Sequence, residues 1–385
     1  MQSYFSSDFT LGILGGGQLG KMLLYETRKF DIKTAVLDPD PEAPSAIACN
    51  TFEIGDLQDF DTVYHFGKKV DLLTIEIEAV NVDALIKLEE EGTTVYPSPV
   101  ALKKIQNKGV QKVFYKENQI PTAPFGRYQS KKELANALKD QKITLPFVWK
   151  STVGGYDGKG VQIIKNKEQV GQLPETECIA EEKIDFAYEI AVIVARNPSG
   201  DLKTYPVVEM EFHPEANQVE YVICPARLEK DVLREAQKIA TDVCISFHHV
   251  GLLAVEMFVT KNNEILVNEV APRPHNSGHY SIEASYTNQF EQHLRAILDL
   301  PLGDTQSKVA GVMVNLVGDE NYEGPVIYKN LNAILSKSGV TPHIYGKKIT
   351  RPFRKMGHVT IIDKNMETAR KTAEKVKNLI KVVSK

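Results

Sequence analysis

The amino-acid sequence predicts a protein of mixed class, in which an α/β unit is followed by an α+β unit and a small β-rich unit. Strand-like apolar runs alternate with helical patterns at the start of the chain, as in a parallel sheet. From Pro146 to Glu269 β-rich runs dominate, and one clear helix is expected at Glu229 to Phe247. A chain of 385 residues is also long for a single hydrophobic core. The predicted domains are residues 1–105, 106–300 and 301–385.

In the first domain, a glycine turn lies between a strand and a helix. Apolar Leu11 to Leu14 precede the turn GGGQLG at residues 15–20, and a helical pattern follows from Lys21 to Lys29. Such a helix N-terminus offers free N–H groups to a phosphate. Asp38 ends the next strand, where a dinucleotide-binding fold places its ribose-binding carboxylate. By itself the turn predicts a Rossmann-like domain and a nicotinamide-dependent oxidoreductase, while a phosphate site for another ligand and a structural turn stay open.

Composition and charge limit the classes of partner. The net charge is -4, and no apolar stretch approaches the roughly 20 residues that a membrane helix needs. The N-terminus has no basic region followed by an apolar run, and the four cysteines are scattered without a CxxC pair. We therefore expect a cytoplasmic protein that acts on small molecules, with neither nucleic acid nor membrane as a partner.

A second glycine-rich segment, Gly154 to Gly160, joins two predicted strands. Four of its seven residues are glycines, whereas a plain hairpin turn needs about two. The excess predicts a loop that folds over a triphosphate and covers it with backbone N–H groups. Lys150, on the preceding strand, is placed to neutralise phosphate charge as a point cation.

The most informative pair of residues is Glu256 and Glu269. They lie on two apolar strands joined by the turn Lys261-Asn262-Asn263, in which asparagine tolerates a positive φ. A hairpin centred between Asn262 and Asn263 places the two glutamates opposite each other, with Cβ atoms roughly 5 Å apart. Two such carboxylates repel each other unless a cation lies between them, and oxygen ligands suit Mg²⁺. The pair therefore predicts a magnesium site.

Three further segments carry chemically active side chains. Asn268 to His279 is dense in reactive groups; Arg273 suits a small oxyanion, and His275 suits orientation or proton transfer. An acidic strand edge runs from Glu181 to Glu189, where a solvated surface is as well supported as an adenine and ribose site. The basic segment Lys347 to Lys355 is either a solvated face or a phosphate-binding patch.

Taken in order, the glycine-rich hairpin, the upstream lysine, the acidic strand edge and the Glu…Asn-Glu pair resemble the ATP-grasp superfamily. Within it, the chain is similar to the N5-carboxyaminoimidazole ribonucleotide synthetase family. The similarity runs from about Thr10 to His358. The segments that carry it are Gly12 to Gly20, Gly155 to Gly160, Asn268 to His279 and Arg354 to His358.

The resemblance implies an ATP-grasp fold with ATP and Mg²⁺ between two lobes. Glu256 and Glu269 would bind the metal. Lys108 stands where the family usually has arginine. The nucleotide site implied by the resemblance comprises Lys108, Lys150, Gly155, Tyr156, Asp157, Gly158, Lys159, Gly160, Val161, Glu181, Glu182, Lys183, Ile184, Glu189, His213, Asn268 and Glu269.

The resemblance also implies a carboxylation. Bicarbonate would attack the γ-phosphate to form carboxyphosphate, and the amine of aminoimidazole ribonucleotide would capture the carboxyl group. The implied catalytic residues are Arg273, His275, Asn276 and Lys355. The implied substrate-binding residues are Gly17, Gln18, Leu19, Glu76, Tyr156, Asp157, Lys159, Lys347, Arg354 and Lys355, with Glu78 an alternative to Glu76.

Other functions remain open at this point. Within the same superfamily, the alternatives are a formate-dependent glycinamide ribonucleotide transformylase and a biotin carboxylase. From other classes, the alternatives are the nicotinamide-dependent oxidoreductase and a nucleotide-binding regulator without catalysis. The family resemblance further suggests a homodimer.

Overall fold

The computed structural model describes residues 4–154, 160–213 and 218–385, and its strands form four sheets within those ranges. The first sheet has five parallel strands in the order β3-β2-β1-β4-β5. This confirms the predicted Rossmann-like parallel sheet. Its elements are β1 (Thr10–Leu14), α1 (Gln18–Lys29), β2 (Lys33–Asp38), β3 (Thr51–Ile54), α2 (Phe60–Gly67), β4 (Leu72–Ile75), α3 (Val82–Glu90) and β5 (Thr94–Val95), with a 3₁₀ turn at Pro44–Ile47.

Two helices and a small antiparallel sheet follow. The sequence predicts one helical segment from Lys103 to Glu117, but the structure has two helices, because the Asn107 side chain accepts the Val110 N–H at 3.0 Å and begins a new helix. The four-stranded sheet has the order β6-β9-β7-β8. The elements are α4 (Pro99–Ile105), α5 (Lys108–Glu117), β6 (Phe125–Tyr128), α6 (Lys131–Lys139), β7 (Phe147–Ser151), β8 (Val161–Ile164), α7 (Lys167–Gln172) and β9 (Cys178–Glu182).

Helix α7 is missing from the sequence prediction, which expects one clear helix between Pro146 and Glu269. It is six residues long and starts with a reciprocal capping box between Asn166 and Gln169. Its single buried residue is Val170, so it shows almost no apolar periodicity. A helix this short is recognisable from its cap rather than from its pattern.

The largest sheet has nine strands. Its main path runs β15-β14-β10-β12-β13-β16-β20-β18, and β11 pairs with β10. The elements up to residue 297 are β10 (Phe186–Arg196), β11 (Leu202–Thr204), β12 (Val208–Phe212), β13 (Val219–Cys224), α8 (Lys230–Ser246), β14 (Gly251–Thr260), β15 (Ile265–Ala271), α9 (Ser281–Ala284) and α10 (Gln289–Ile297), with a 3₁₀ turn at Asn276–Gly278.

The final residues extend this large sheet. One strand of the predicted C-terminal domain pairs directly with β13, and two more follow it, so that one sheet runs through both regions. A separate three-stranded sheet has the order β19-β17-β21. The elements are β16 (Ala310–Val317), β17 (Gly324–Lys329), α11 (Leu331–Leu335), β18 (Val340–Ile344), β19 (Ile349–Thr350), β20 (Lys355–Asp363), α12 (Met366–Leu379) and β21 (Lys381–Ser384).

The two faces of the large sheet have different roles. Side chains alternate along a strand, so Ile190, Val192 and Val194 of β10 point to one face and pack with helix α8 in a buried apolar cluster. Glu189 on β10 and Glu256 on β14 point to the opposite face of the sheet. Buried apolar side chains, among them Ala191 and Ile193, also pack on that opposite face, and Glu189 and Glu256 add acidic groups to it. In the described ranges we find no helix that is both long and apolar enough to cross a membrane.

Buried histidines should make the stability of the fold depend on pH. His293 connects the first sheet to the large one: it contacts Thr74 Oγ1 at 3.1 Å and accepts the Leu252 N–H at 3.2 Å. Burial lowers the pKa of His293 to about 3 and that of His249 to about 4. Both imidazoles stay neutral in the folded protein, whereas the unfolded chain takes up protons below about pH 6.5.

The free energy of unfolding should therefore fall as the pH drops from 6.5 towards 4, by about 1.4 kcal/mol per pH unit for each of these histidines. Urea unfolding at pH 7.0 and pH 5.5 measures this change. The variant His293→Gln removes the contribution of one histidine and should have a shallower pH dependence than the wild type. An equal slope in the two proteins would contradict this account.

Candidate active site

Glu256 and Glu269 lie opposite each other in the β14–β15 hairpin, as the sequence predicts. The register of the hairpin near its turn differs from the predicted register. The turn leaves Asn263 with φ 63° and pairs Val259 with Ile265, one residue away from the expected register. A β-bulge next to Glu256 then shifts the register back. Without this bulge Glu256 would face Asn268, and Glu269 would point to the opposite face.

The two glutamates have opposite electrostatic surroundings. Lys108 Nζ lies 2.7 Å from Glu269 Oε2, and this cation lowers the pKa of Glu269. Burial, together with the charge of Glu269, raises the pKa of Glu256. His275 Nε2 lies 3.3 Å from Glu256 Oε1. Lys108 therefore holds Glu269 in its charged form, whereas the charged form of Glu256 is disfavoured until a further cation lies beside it.

This arrangement fits a magnesium ion that is shared with a nucleotide. The described residues contain no group of three or more His, Cys, Asp and Glu side chains able to hold a metal, so a site made of protein ligands alone is absent from those ranges. Mg²⁺ commonly takes one or two carboxylates and completes its shell with water and phosphate oxygens. The Glu256–Glu269 pair could supply these two carboxylates, and the side chain of Glu269 is 43% exposed.

Three buried charged side chains, Lys150, Glu181 and Lys112, lie beside this pair. Lys150 Nζ lies 2.8 Å from Glu181 Oε2 and donates to Asn268 Oδ1 at 2.9 Å, so it joins the small sheet to the large one. On the other side of Glu181, Lys112 Nζ lies 3.0 Å from Oε1. Burial alone would raise the pKa of Glu181, but Lys150 and Lys112 lower it below its usual value. Glu181 is therefore an inward-facing anion that orients two lysines.

Lys112 was not identified from the sequence. Its side chain is 3% exposed, and burial lowers its pKa to about 8. A usable signal does exist: Lys112 lies one helical turn after Lys108 on α5, so the two side chains share a face. The helix is rich in polar residues, so its sequence pattern did not indicate that Lys112 is buried.

The acidic strand edge lies on the same face of the large sheet as the carboxylate pair. Glu189 lies two residues along β10 from Ala191, which pairs with Glu256, so the two glutamates share a face. Burial and the charge of Glu269 raise the pKa of Glu189 to about 7. His213 follows β12, with its ring centroid 5.9 Å from that of Phe353.

The other predicted nucleotide residues that the structure describes lie in the small sheet or directly after it. Val161 pairs with Lys150 across β7 and β8, and the Gly160 carbonyl accepts the Ser151 N–H at 2.9 Å. Glu182 ends β9, and Lys183 and Ile184 lead into β10. Gly155, Tyr156, Asp157, Gly158 and Lys159 lie outside the described residues.

The segment after β15 carries three of the four candidate catalytic residues. Arg273 Nη2 lies 3.0 Å from Glu78 Oε2. His275 Nδ1 lies 2.9 Å from Ser277 Oγ, which leaves Nε2 directed at Glu256. Asn276 Nδ2 is buried and has no hydrogen-bond partner within the described ranges. A buried donor in this state is costly, and its position suits an acceptor on a ligand.

The first glycine turn does not resemble a dinucleotide site in its contacts. The Glu76 carboxylate accepts the N–H groups of Gly17 and Leu19, at 3.2 and 3.3 Å, at the start of α1. Asp38 Oδ2 accepts the Gly16 N–H at 2.6 Å. The free N–H groups that would attract a pyrophosphate are therefore already bonded to carboxylates. These contacts argue against the alternative of a nicotinamide site at this turn.

Two side chains of the basic segment Lys347 to Lys355 bond to backbone carbonyls of the same segment. Lys347 Nζ donates to the Lys355 carbonyl at 2.9 Å, and Arg354 Nη1 donates to the Ile349 carbonyl at 2.6 Å. Lys355 begins β20, and its charge acts on Glu256. Gln18 lines a cavity of about 160 Å³ between α1 and β18. Residues from both ends of the chain thus meet at this cavity.

Three family models match successive parts of the chain. The ribonucleotide synthetase preATP-grasp domain matches residues 9–106, and the ATP-grasp domain matches residues 113–290. The phosphoribosylaminoimidazole carboxylase C-terminal domain matches residues 311–372. The described fold and the sequence matches therefore agree on an ATP-grasp protein with a preATP-grasp parallel sheet.

The chain is also similar over nearly its whole length to named proteins. N5-carboxyaminoimidazole ribonucleotide synthase of Bacillus subtilis is 37% identical over 359 residues, which is 91% of each chain. The crystal structure of N5-carboxyaminoimidazole ribonucleotide synthetase from Thermotoga maritima has a TM-score of 0.90 at 42% identity and covers 98% of this chain and 100% of its own.

A third similar structure is that of N5-carboxyaminoimidazole synthase from Aspergillus clavatus, solved in complex with ADP and 5-aminoimidazole ribonucleotide. It has a TM-score of 0.87 at 29% identity, with 96% of this chain and 98% of that chain covered. The chain belongs to the N5-carboxyaminoimidazole ribonucleotide synthase family of ATP-grasp enzymes.

Proposed function

We propose that this protein carboxylates 5-aminoimidazole ribonucleotide to N5-carboxyaminoimidazole ribonucleotide, using ATP and bicarbonate, in purine biosynthesis. The observation that carries the proposal is the Glu256–Glu269 pair, with Lys108 bonded to Glu269 and Lys150 bonded to the neighbouring Asn268. The similarity to the Aspergillus clavatus structure with ADP and 5-aminoimidazole ribonucleotide supports the choice of substrates.

In this proposal, ATP lies between the small sheet and the large sheet. Lys108 and Lys150 contact its phosphates, and Glu189 accepts the ribose hydroxyls. Residues 155–161 cover the triphosphate, Glu181 to Ile184 line the adenine, and His213 and Asn268 complete the site. Glu256 and Glu269 hold Mg²⁺, which when bound neutralises charge on the transferred phosphoryl group. Phosphoryl transfer depends on this positioning and charge balance more than on covalent help from the protein.

Carboxyl transfer proceeds in two steps in this proposal. A bicarbonate oxygen bonds to the γ-phosphorus while the bond to ADP breaks, giving carboxyphosphate. The amine of the ribonucleotide then bonds to the carboxyl carbon, phosphate leaves, and the amine loses a proton. Arg273 and Asn276 hold the carboxyphosphate oxygens, His275 orients them, and Lys355 balances their charge. Exclusion of water protects this intermediate from hydrolysis.

The ribonucleotide is bound in the proposal beside the first glycine turn. Glu76 and Glu78 both stay candidates, since Glu76 accepts the N–H groups of Gly17 and Leu19 and Glu78 is paired with Arg273. The basic groups suit the ribonucleotide phosphate. The proposed substrate-binding residues are Gly17, Gln18, Leu19, Glu76, Tyr156, Asp157, Lys159, Lys347, Arg354 and Lys355.

The proposal also covers the domain boundaries, the cellular location and the oligomeric state. The division into residues 1–105, 106–300 and 301–385 is supported by three family matches that fall within those bounds, apart from one residue. A cytoplasmic location and a homodimer are part of the same proposal, the dimer on the basis of family resemblance. Size-exclusion chromatography with light scattering tests the dimer.

Phosphate release from ATP tests the function. With bicarbonate present, addition of 5-aminoimidazole ribonucleotide should strongly stimulate phosphate release, and labelled bicarbonate should appear in the product. Formate with glycinamide ribonucleotide should give no stimulation. Mg-ATP, and not NADH, should protect the protein against thermal unfolding. A lack of stimulation by the ribonucleotide would reject the specific reaction and leave family membership unaffected.

A further inference from the structure

A buried glutamine side chain bonds to the loop that carries His275. Gln289, the first residue of α10, is fully buried. Its Oε1 accepts the His275 N–H at 2.8 Å, and its Nε2 donates to the His275 carbonyl at 2.9 Å. Nε2 also lies 2.9 Å from His279 Nδ1. Because a backbone N–H only donates and a carbonyl only accepts, these contacts determine which end of the amide is which.

The loop packs tightly against this amide. A Cβ atom on Gly278 would lie 2.4 Å from Gln289 Oε1 and 2.4 Å from Ile193 Cδ1, so no larger residue fits there without displacement. The backbone N–H of Gln289 donates to Ser281 Oγ at 2.9 Å, which anchors the glutamine to the segment that follows the loop. The amide therefore holds the loop at two points, residues 275 and 279.

His279 connects the same amide to the strand that begins at Lys355. The His279 ring stacks on His358 of β20 with centroids 4.5 Å apart, and His358 stacks on His343 at 4.4 Å. His343 Nε2 in turn lies 2.8 Å from Glu283 Oε1. This column of three imidazoles packs the His275 loop against β20, three residues beyond Lys355.

We propose that Gln289 is a positioning residue for carboxyl transfer, because its amide sets the His275 loop relative to the strand that begins at Lys355. The inference rests on the proposed function, in which His275 and Lys355 face carboxyphosphate. Within the described ranges, every side-chain hydrogen bond of Gln289 goes to residue 275 or 279. Gln289 therefore acts through other residues and not on the nucleotide.

The variant Gln289→Met keeps the length of the side chain and removes its hydrogen bonds. Misplacement of the loop should lower kcat for carboxylation by about 10- to 100-fold, the scale of an error of about 1 Å in a reacting group. The KM for Mg-ATP should be unchanged. Carboxyphosphate that still forms would be lost to water, so the phosphate released per carboxylated product should rise well above one.

Helix α10 provides a matched control. Gln292 is also fully buried, and its amide bonds both backbone groups of Gly303, at 3.2 and 2.8 Å. The variant Gln292→Met removes the same kind of contact from a different loop. It should lose stability to a similar extent while its ratio of phosphate to product stays at the wild-type value.

The outcomes separate the possible explanations. A wild-type ratio and kcat in Gln289→Met, or the same uncoupling in Gln292→Met, would overturn the positioning role. If Gln289→Met does not fold, Gln289→Glu serves instead, because it keeps an acceptor for the His275 N–H and loses the amide donor. A wild-type ratio of phosphate to product in Gln289→Glu would also overturn the positioning role. Absence of product with the wild-type protein would refute the proposed function itself.

Discussion

Replacing Glu269 by glutamine is expected to abolish carboxylation while the protein stays folded. Glu269 is the member of the carboxylate pair whose pKa is lowered, chiefly by Lys108, so it carries the charge that the metal needs. Glutamine keeps the shape and loses that charge. Since removal of a single charge-stabilising group costs about 10²- to 10³-fold in rate, kcat should fall by at least about 10³-fold when metal and phosphate are both misplaced.

The test combines product formation with thermal unfolding in the absence of nucleotide. Glu264→Gln is the matched control, because Glu264 is an exposed glutamate on the same hairpin, just before β15. The Glu264 variant should retain full activity, and both variants should unfold within a few degrees of the wild type. Substantial turnover by Glu269→Gln would contradict its role as a magnesium ligand.

The second large effect is a loss of stability in Lys112→Met. Lys112 and Glu181 are 3% and 4% exposed, and the removal of one partner leaves part of a buried negative charge unbalanced. Breaking a buried ion pair in this way costs about 3–5 kcal/mol. Because Lys150 remains 2.8 Å from Glu181, the lower end of that range is expected, about 3 kcal/mol in urea unfolding.

Lys116→Met is the control for this variant. Lys116 lies on the same helix and is exposed, so its replacement should change the free energy of unfolding by less than about 0.5 kcal/mol. If Lys112→Met cost no more than the control, the Lys112–Glu181 contact would have no net value. A raised KM for ATP in Lys112→Met would be the corresponding functional effect, since Glu181 also orients Lys150.

Several features followed from local sequence. The alternation of strands and helices predicted the parallel sheet, because periodicity depends only on neighbouring residues. The pairing of Glu256 with Glu269 was also predictable, since both lie on one hairpin. Even there, the turn shifted the register by one residue and a bulge restored it. The prediction succeeded at the glutamates although its register near the turn was wrong.

By itself, then, the sequence determined the class of the protein, the nature of its carboxylate pair and the order of its motifs. The tertiary structure decided which polar groups face each other across long stretches of chain: Glu76 against the first glycine turn, Lys112 against Glu181, and Gln289 against His275. Local periodicity carries no information about such partners. They arise because a buried polar group must find a complementary atom wherever the packed sheets bring one within reach.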